Sequence, residues 1–200
     1  RIAAAVDSHL PTIHRAVEEE ADLLIVHHGL FWQGGQRLTG SFYEKVKLAL
    51  EHDLAIISLH HPLDAHPELG NNARIAAGLG LENGEPFFHY KGFPIGQKFA
   101  LQLPRDQLKE RLENLLEGPV HLAPGGPSLV QSLGICSGGA GGEVSQAAQE
   151  GVDTFITGEG PHWSYTSAEE IGITLFYGGH YATETFGVKA LAECLAQRFD

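Results

Sequence analysis

The chain has 200 residues, 42% of them hydrophobic, which is enough for one large domain or two small ones and excludes a disordered segment. Thirteen basic against twenty-five acidic side chains give a net charge of -12, which excludes a continuous phosphate-attracting surface and makes nucleic acid a poor partner. The two cysteines, Cys136 and Cys194, are far apart and exclude a disulfide scaffold or a thiolate zinc site; they suit a reducing, cytoplasmic setting, and no apolar run approaches the ~20 residues of a membrane span.

Arg1 leads without an initiator methionine into the strand-like Ile2-Ala3-Ala4-Ala5-Val6, so an upstream segment is expected, and no signal peptide is visible. After Asp7-Ser8, Leu10, Ile13 and Val17 recur at helical spacing. Leu23-Leu24-Ile25-Val26 then reads as a strand buried on both faces, ending in His27-His28-Gly29, and completes a βαβ unit. Phe31 to Gly35 is a loop, and Ser41-Phe42-Tyr43-Glu44 is a capping-box pattern opening a helix through Val46, Leu48 and Leu50. Leu54 to Ser58 is a further buried strand, followed by Leu59-His60-His61-Pro62-Leu63-Asp64; Gly70-Asn71-Asn72 then caps a short helix carrying Ala73, Ile75, Ala76 and Leu79.

From 82 to 130 the pattern changes to antiparallel strands around Gly96 to Leu103 and an amphipathic helix over Asp106 to Leu116. Leu133 to Cys136 precede a glycine-rich turn, Ser137 to Gly142. Such a turn either cradles a phosphate with its backbone N–H groups or is simply tight, and it lacks both the Lys-Ser/Thr of a P-loop and the dinucleotide spacing. Val152 to Gly160 repeats the dihistidine strand, with Asp153 on Asp22, Glu159 on His28 and Gly160 on Gly29. Thr166-Ser167-Ala168-Glu169 reads as a second helix cap, Ile173 to Tyr177 as a strand, and His180 and Glu184 repeat the spacing of His60 and Asp64 before a final helix. The whole reads as an α/β domain made of two pseudo-repeats, roughly 1–81 and 131–200, joined by 82–130.

Six of the twelve histidines, His9, His14, His52, His66, His89 and His121, sit among polar or turn residues and read as solvated. The strand ends instead collect His27, His28, His60, His61, Asp64, His180 and Glu184, with Glu159 nearby. A lone histidine there is more often a packed core group, and His61 and Trp32 keep that reading. Concurrence at separate strand ends, where open α/β sheets bind ligands, argues instead for a metal site. Nitrogen and oxygen donors without sulfur, and more than four of them, suit two divalent transition-metal ions (zinc, iron, manganese, nickel or cobalt) rather than a closed structural zinc. Glu184 is the expected bridge. Asp64 with one of His27 and His28 would complete one ion, and His180 with the other histidine the second; His60 or Glu159 would orient ligands or move protons.

At these residues, Ala21 to Trp32, His60 to Pro67, Gly70 to Asn72, Asp153 to Glu159 and Gly179 to Glu184, the sequence resembles the YbgI-like dinuclear-metal family, also known as GTP cyclohydrolase I type 2 homologues. The resemblance runs nearly end to end. It implies ligands at His27, His28, Asp64, His180 and Glu184 with Glu184 bridging, two intertwined α/β subdomains with mixed sheets flanked by helices, and a homohexameric ring. It also implies a few dozen residues ahead of Ile2, and an apolar residue where His61 stands. The function implied is metal-dependent hydrolysis of a nucleotide-like or other small substrate, GTP ring opening being one instance; the alternative is a non-catalytic metal-binding adaptor or scaffold.

Overall fold

Residues 1–199 are described by the computed structural model, in which the chain divides into two units: Arg1–Leu63 together with the chain from Gly187 on, and Asp64–Phe186. Among the described residues no helix is long and apolar enough to cross a membrane.

The first unit is built on three parallel strands, β1 (Ile2–Asp7), β2 (Leu23–His28) and β3 (Ala55–Ser58), with β2 in the middle. Helix α1 (Leu10–Glu18) connects β1 to β2, and α2 (Gly40–Glu51) connects β2 to β3. One face of the central strand packs on both helices, Leu24 and Val26 meeting Ile13 and Ala16 of α1 and Ala49 of α2, while Ile25 on the opposite face is buried as well. The edge strand differs from expectation. Burial on both faces is read from Leu54 to Ser58, yet β3 lies at the sheet margin and leaves Ile57 48% exposed. A smaller core joins Val6, Leu63 and Val188.

The chain then continues through α3 (His61–Ala65), α4 (Asn71–Gly78), β4 (Glu85–Tyr90), β5 (Phe93–Pro104), α5 (Arg105–Leu116), β6 (His121–Pro124), β7 (Leu129–Ile135), α6 (Val144–Gln149), β8 (Thr154–Thr157), α7 (Trp163–Ile171), β9 (Thr174–Tyr177) and α8 (His180–Phe199). The second unit's mixed sheet has the order β4-β5-β7-β8-β9-β6, in which β7, β8 and β9 run parallel and the other pairings are antiparallel. Side-chain alternation separates its two cores cleanly. Phe155 of β8 and Leu175 of β9 face one, with Phe87 and Val144. Ile156 and Phe176 face the other, with Ile75 of α4 and with Leu108 and Leu112 of α5.

Each unit thus holds a parallel run of three strands with a helix between successive strands, and the matching segments 21–29 and 152–160 supply the middle strand of each run. Two helix starts differ from the sequence signals. α2 begins at Gly40 with Thr39 as its N-cap rather than at Ser41. α7 begins at Trp163, which places Thr166 inside the first turns, where its hydroxyl donates to the Trp163 carbonyl.

Phe88 departs from its strand. It adopts φ +57°, a left-handed conformation rare for an aromatic residue, and both it and its neighbour Phe87 are buried in the same core. Glu150, following α6, meets the exposed backbone there: the N–H of Phe88 donates to one carboxylate oxygen at 2.7 Å and that of His89 to the other at 3.3 Å.

Candidate metal centre

In the first unit the donors come from the carboxyl ends of β2 and β3. His27 and His28 are both buried, at 0% and 6% exposure, and their ring centroids are 4.9 Å apart. The strand ends are tied tightly at this level. Ser58 donates its hydroxyl to the His27 carbonyl at 2.9 Å and accepts the Gly29 N–H at 3.1 Å, while Ser8 donates its hydroxyl to the His28 carbonyl at 2.8 Å. Position 29 must be glycine for this closure, since a Cβ there would lie 2.4 Å from that of Ser58. His60 brings its ring to 4.9 Å from His27 and 5.1 Å from His28, and His61 stacks on His60 at 4.1 Å.

Asp7, absent from the sequence-derived set, completes this group. It is the register partner of His28 across β1 and β2, and His28 Nδ1–H donates to its carboxylate at 2.8 Å. That bond fixes the tautomer and puts the basic lone pair on Nε2, the nitrogen a cation would take.

In the second unit Asp64, His180 and Glu184 gather around the turn after β7. Asp64 Oδ1 accepts from the Asn71 side-chain amide at 2.9 Å and from the Ser137 hydroxyl at 3.0 Å. The next residue, Gly138, sits at φ +70° against the other two: a Cβ added there would lie 2.3 Å from Glu184 Oε1 and 3.4 Å from His180 Nε2. His180 and Glu184 occupy the first turn of α8, one turn apart on the same face, with Nε2 and Oε1 at 3.1 Å. Glu159 accepts from His180 Nδ1–H at 2.9 Å. With a carboxylate on each ring nitrogen, first Glu184 and then Glu159, the imidazole is pushed up to about 9 despite partial burial.

The turn Ser137 to Gly142 has the plain role. The N–H groups of Ser137, Gly138, Ala140 and Gly141 donate to Asn72 Oδ1, Thr183 Oγ1, Thr157 Oγ1 and the Glu159 carbonyl, so the turn braces the site and leaves those four amides to no phosphate. Cys136, just before it, is buried, and burial followed by the charge of Asp64 pushes its thiol well up. Burial thus disfavours the thiolate form that a ligand or nucleophile needs, while Cys194 is exposed.

Within the second unit, two buried carboxylates, Asp64 at 7% and Glu184 at 3% exposure, stand with His180, whose Nδ1 is held by Glu159; oxygen and imidazole donors of this kind are compatible with a divalent transition-metal ion. Beside these groups, at the carboxyl ends of β8 and β9, a cavity of about 670 Å³ is lined by Glu159, Pro161, His162, Tyr165, Tyr177 and Gly179 among others, within the size range of small-ligand pockets.

Comparison with known proteins agrees with this architecture. The model of the Duf34/NIF3 (NGG1p interacting factor 3) family matches residues 1–200. A protein of Deinococcus radiodurans named "GTP cyclohydrolase 1 type 2 homolog" is 43% identical over 204 residues, covering 100% of this chain and 76% of that one. Among solved structures, the protein ybgI, described as of unknown function, superposes with a TM-score of 0.89 at 35% identity, covering 98% of this chain and 79% of that one. TTHA1606 from Thermus thermophilus gives 0.88 at 35% identity, covering 99% and 79%.

Proposed function

The chain belongs to the Duf34/NIF3 family, and from that premise we propose that it is a metal-dependent hydrolase of a nucleotide-like or other small substrate, holding two divalent transition-metal ions through His27, His28, Asp64, His180 and Glu184. Glu184 is the proposed bridge between the ions.

The observation that supports this most is the enclosure of Asp64, Glu184 and His180 around the Ser137–Gly138 turn, where a methyl group at position 138 would collide with the Glu184 carboxylate. Ions bound there supply Lewis-acid polarisation and a nucleophilic water at neutral pH. The chain's own residues do the rest. Asn71 and Ser137 hold one oxygen of Asp64 and so orient the carboxylate. Asp7 and Glu159 aim His28 and His180, and Glu159, which also lines the cavity, is placed to take or return a proton at the edge of a bound substrate. The cavity lining, made of glycine, proline, tyrosine, histidine, leucine and alanine residues with Glu159 as its acidic group and no lysine or arginine, favours a weakly charged reacting group there over a phosphate. GTP ring opening, the reaction in the name that relatives carry as homologues, is one member of this class. A cytoplasmic homo-oligomer, hexameric by family resemblance, is part of the same reading.

The test is metal reconstitution with anomalous scattering, joined to turnover assays on a panel of nucleotides and phosphoesters. Two ions per chain on the five named residues, and loss of turnover in Glu184→Gln, are expected. Metal loss in that variant with turnover intact defeats the hydrolase and leaves a metal-binding scaffold.

A further inference from the structure

The cavity at the carboxyl ends of β8 and β9 carries a short relay that fixes the direction of one of its hydroxyl groups. Ser164, in the first turn of α7 and at 0% exposure, has its Oγ 2.6 Å from the Pro161 carbonyl oxygen and 2.8 Å from Tyr177 Oη. A carbonyl oxygen has no proton, so the one hydroxyl proton of Ser164 goes to Pro161, and the contact with Tyr177 is a hydrogen bond only if the phenol donates. Tyr177, which lines the cavity, therefore has its proton committed and keeps lone pairs alone for a ligand. Glu159 on the same wall is an acceptor as well: Oε1 takes the His180 Nδ1 proton, Oε2 has no hydrogen-bond partner among the described residues, and the side chain is 63% exposed. The backbone donors nearby are spent. The N–H groups of Gly158 and Glu159 donate to the Gly138 carbonyl, and those of Gly178 and Gly179 to the carbonyls of Thr157 and Gly158. The polar groups with a fixed direction thus all accept, while Tyr165, His121 and His162 add flat faces whose polar atoms can donate or accept.

We infer that this cavity selects a flat ring whose edge carries N–H donors, a cyclic amidine or guanidine with an amine on the carbon beside a ring nitrogen, and that Glu159 Oε2 and Tyr177 Oη each accept one of those hydrogens. This rests on the reading of the cavity as the substrate site and narrows the substrate class that the reading leaves open. Ser164 is a positioning residue: it touches no ligand and acts by holding the Tyr177 proton away from the cavity. Discrimination follows from the chemistry of the wall. A ring with a carbonyl or carboxylate edge would set lone pairs against lone pairs and leave both acceptors unsatisfied, whereas the N–H edge satisfies them.

The test titrates the full chain, freed of metal so that no ion can coordinate the probe, with 2-aminobenzimidazole and with 2-methylbenzimidazole, which keeps the ring N–H and lacks the amine. Calorimetry should show the amine-bearing probe binding about tenfold tighter or more. Tyr177→Phe, which keeps the ring and removes the acceptor, should erase most of that ratio. Ser164→Ala should narrow it too, because the phenol proton is then free to turn into the cavity; a merely structural role for Ser164 would weaken both probes equally and leave the ratio as it was. The inference is overturned if 2-aminobenzimidazole does not bind, if the two probes bind alike, or if the ratio survives Tyr177→Phe or Ser164→Ala. Should Ser164→Ala not fold, Tyr177→Phe decides alone. Failure of the hydrolase reading looks different: the probe ratio would stand in a chain that turns over no substrate, whereas equal binding of the probes by a chain that does turn one over defeats this inference only.

Discussion

Glu159 Oε1 accepts the Nδ1 proton of His180 at 2.9 Å, so the imidazole has one nitrogen fixed by an acid and the other directed at Glu184. Removing such a carboxylate partner loosens the ring without deleting a ligand, which typically costs 10–100-fold in metal affinity. Glu159→Ala should therefore weaken zinc binding by about that factor, and the metal-free chain should lose the part of the His180 stabilisation that Glu159 supplies; competition with a chelating dye measures the affinity.

Asp7 makes the same contact with His28 from the neighbouring strand, at 2.8 Å and with its own side chain 44% exposed. Asp7→Asn should reduce zinc affinity by about tenfold, at the lower end of the same range because water competes for the exposed acid. Isothermal titration calorimetry distinguishes this from an inert surface change.

In the metal-free protein His180 is held at about 9, against 6.5 for a free histidine. The sign follows: a raised value means that the ion pair contributes fully below about 6.5 and its contribution disappears as pH rises through about 9. Metal-free protein should lose stability over that interval, and loading zinc at pH 7 should release about one proton from His180. Calorimetry in buffers of different ionisation enthalpy counts that proton; Glu184→Gln should lower the His180 value more than Glu159→Gln does.

Gly138 leaves no space for a side chain next to Glu184 and adopts φ +70°. Gly138→Ala should lose about 1–2 kcal/mol from the backbone alone and, by pushing the carboxylate aside, abolish binding of the second metal equivalent. Denaturant unfolding and metal analysis on the same sample report the two effects.

Glu150 accepts three hydrogen bonds, from the N–H groups of Phe88 and His89 and from the Gln146 side chain. Partial burial works to raise its carboxyl, and these bonds, with the Gln146 amide foremost, hold it below the usual carboxylate range all the same. The stabilisation is thus present at neutral pH and is lost as pH falls below about 4.5, where the unfolded chain takes up a proton first. Glu150→Gln should cost about 1–3 kcal/mol at pH 7 and nothing at pH 3, as read from urea midpoints.

The pairing of buried strands with strand-end histidines was legible because it is a local pattern: an apolar run, then imidazole, then glycine. The parallel runs of both units and the adjacency of His27, His28 and His60 follow that pattern. Asp7 was not legible as a partner, since nothing local says that β1 and β2 align with Asp7 opposite His28; only the parallel register does. Asn71 and Ser137 escaped for the same reason, being separated from each other by the strands that bring them to Asp64. The left-handed Phe88 had no signal at all, because aromatic residues avoid that region and its compensation, Glu150, is 62 residues away.

The contrast between Cys136 and Cys194 has a practical consequence. One thiol is sealed among apolar side chains and kept protonated, the other stands on the open side of α8. A maleimide dye at neutral pH should therefore attach once per chain, at Cys194, so that fluorescence can report assembly and unfolding in unmutated material, and a second attachment marks the moment the sheet around Cys136 opens.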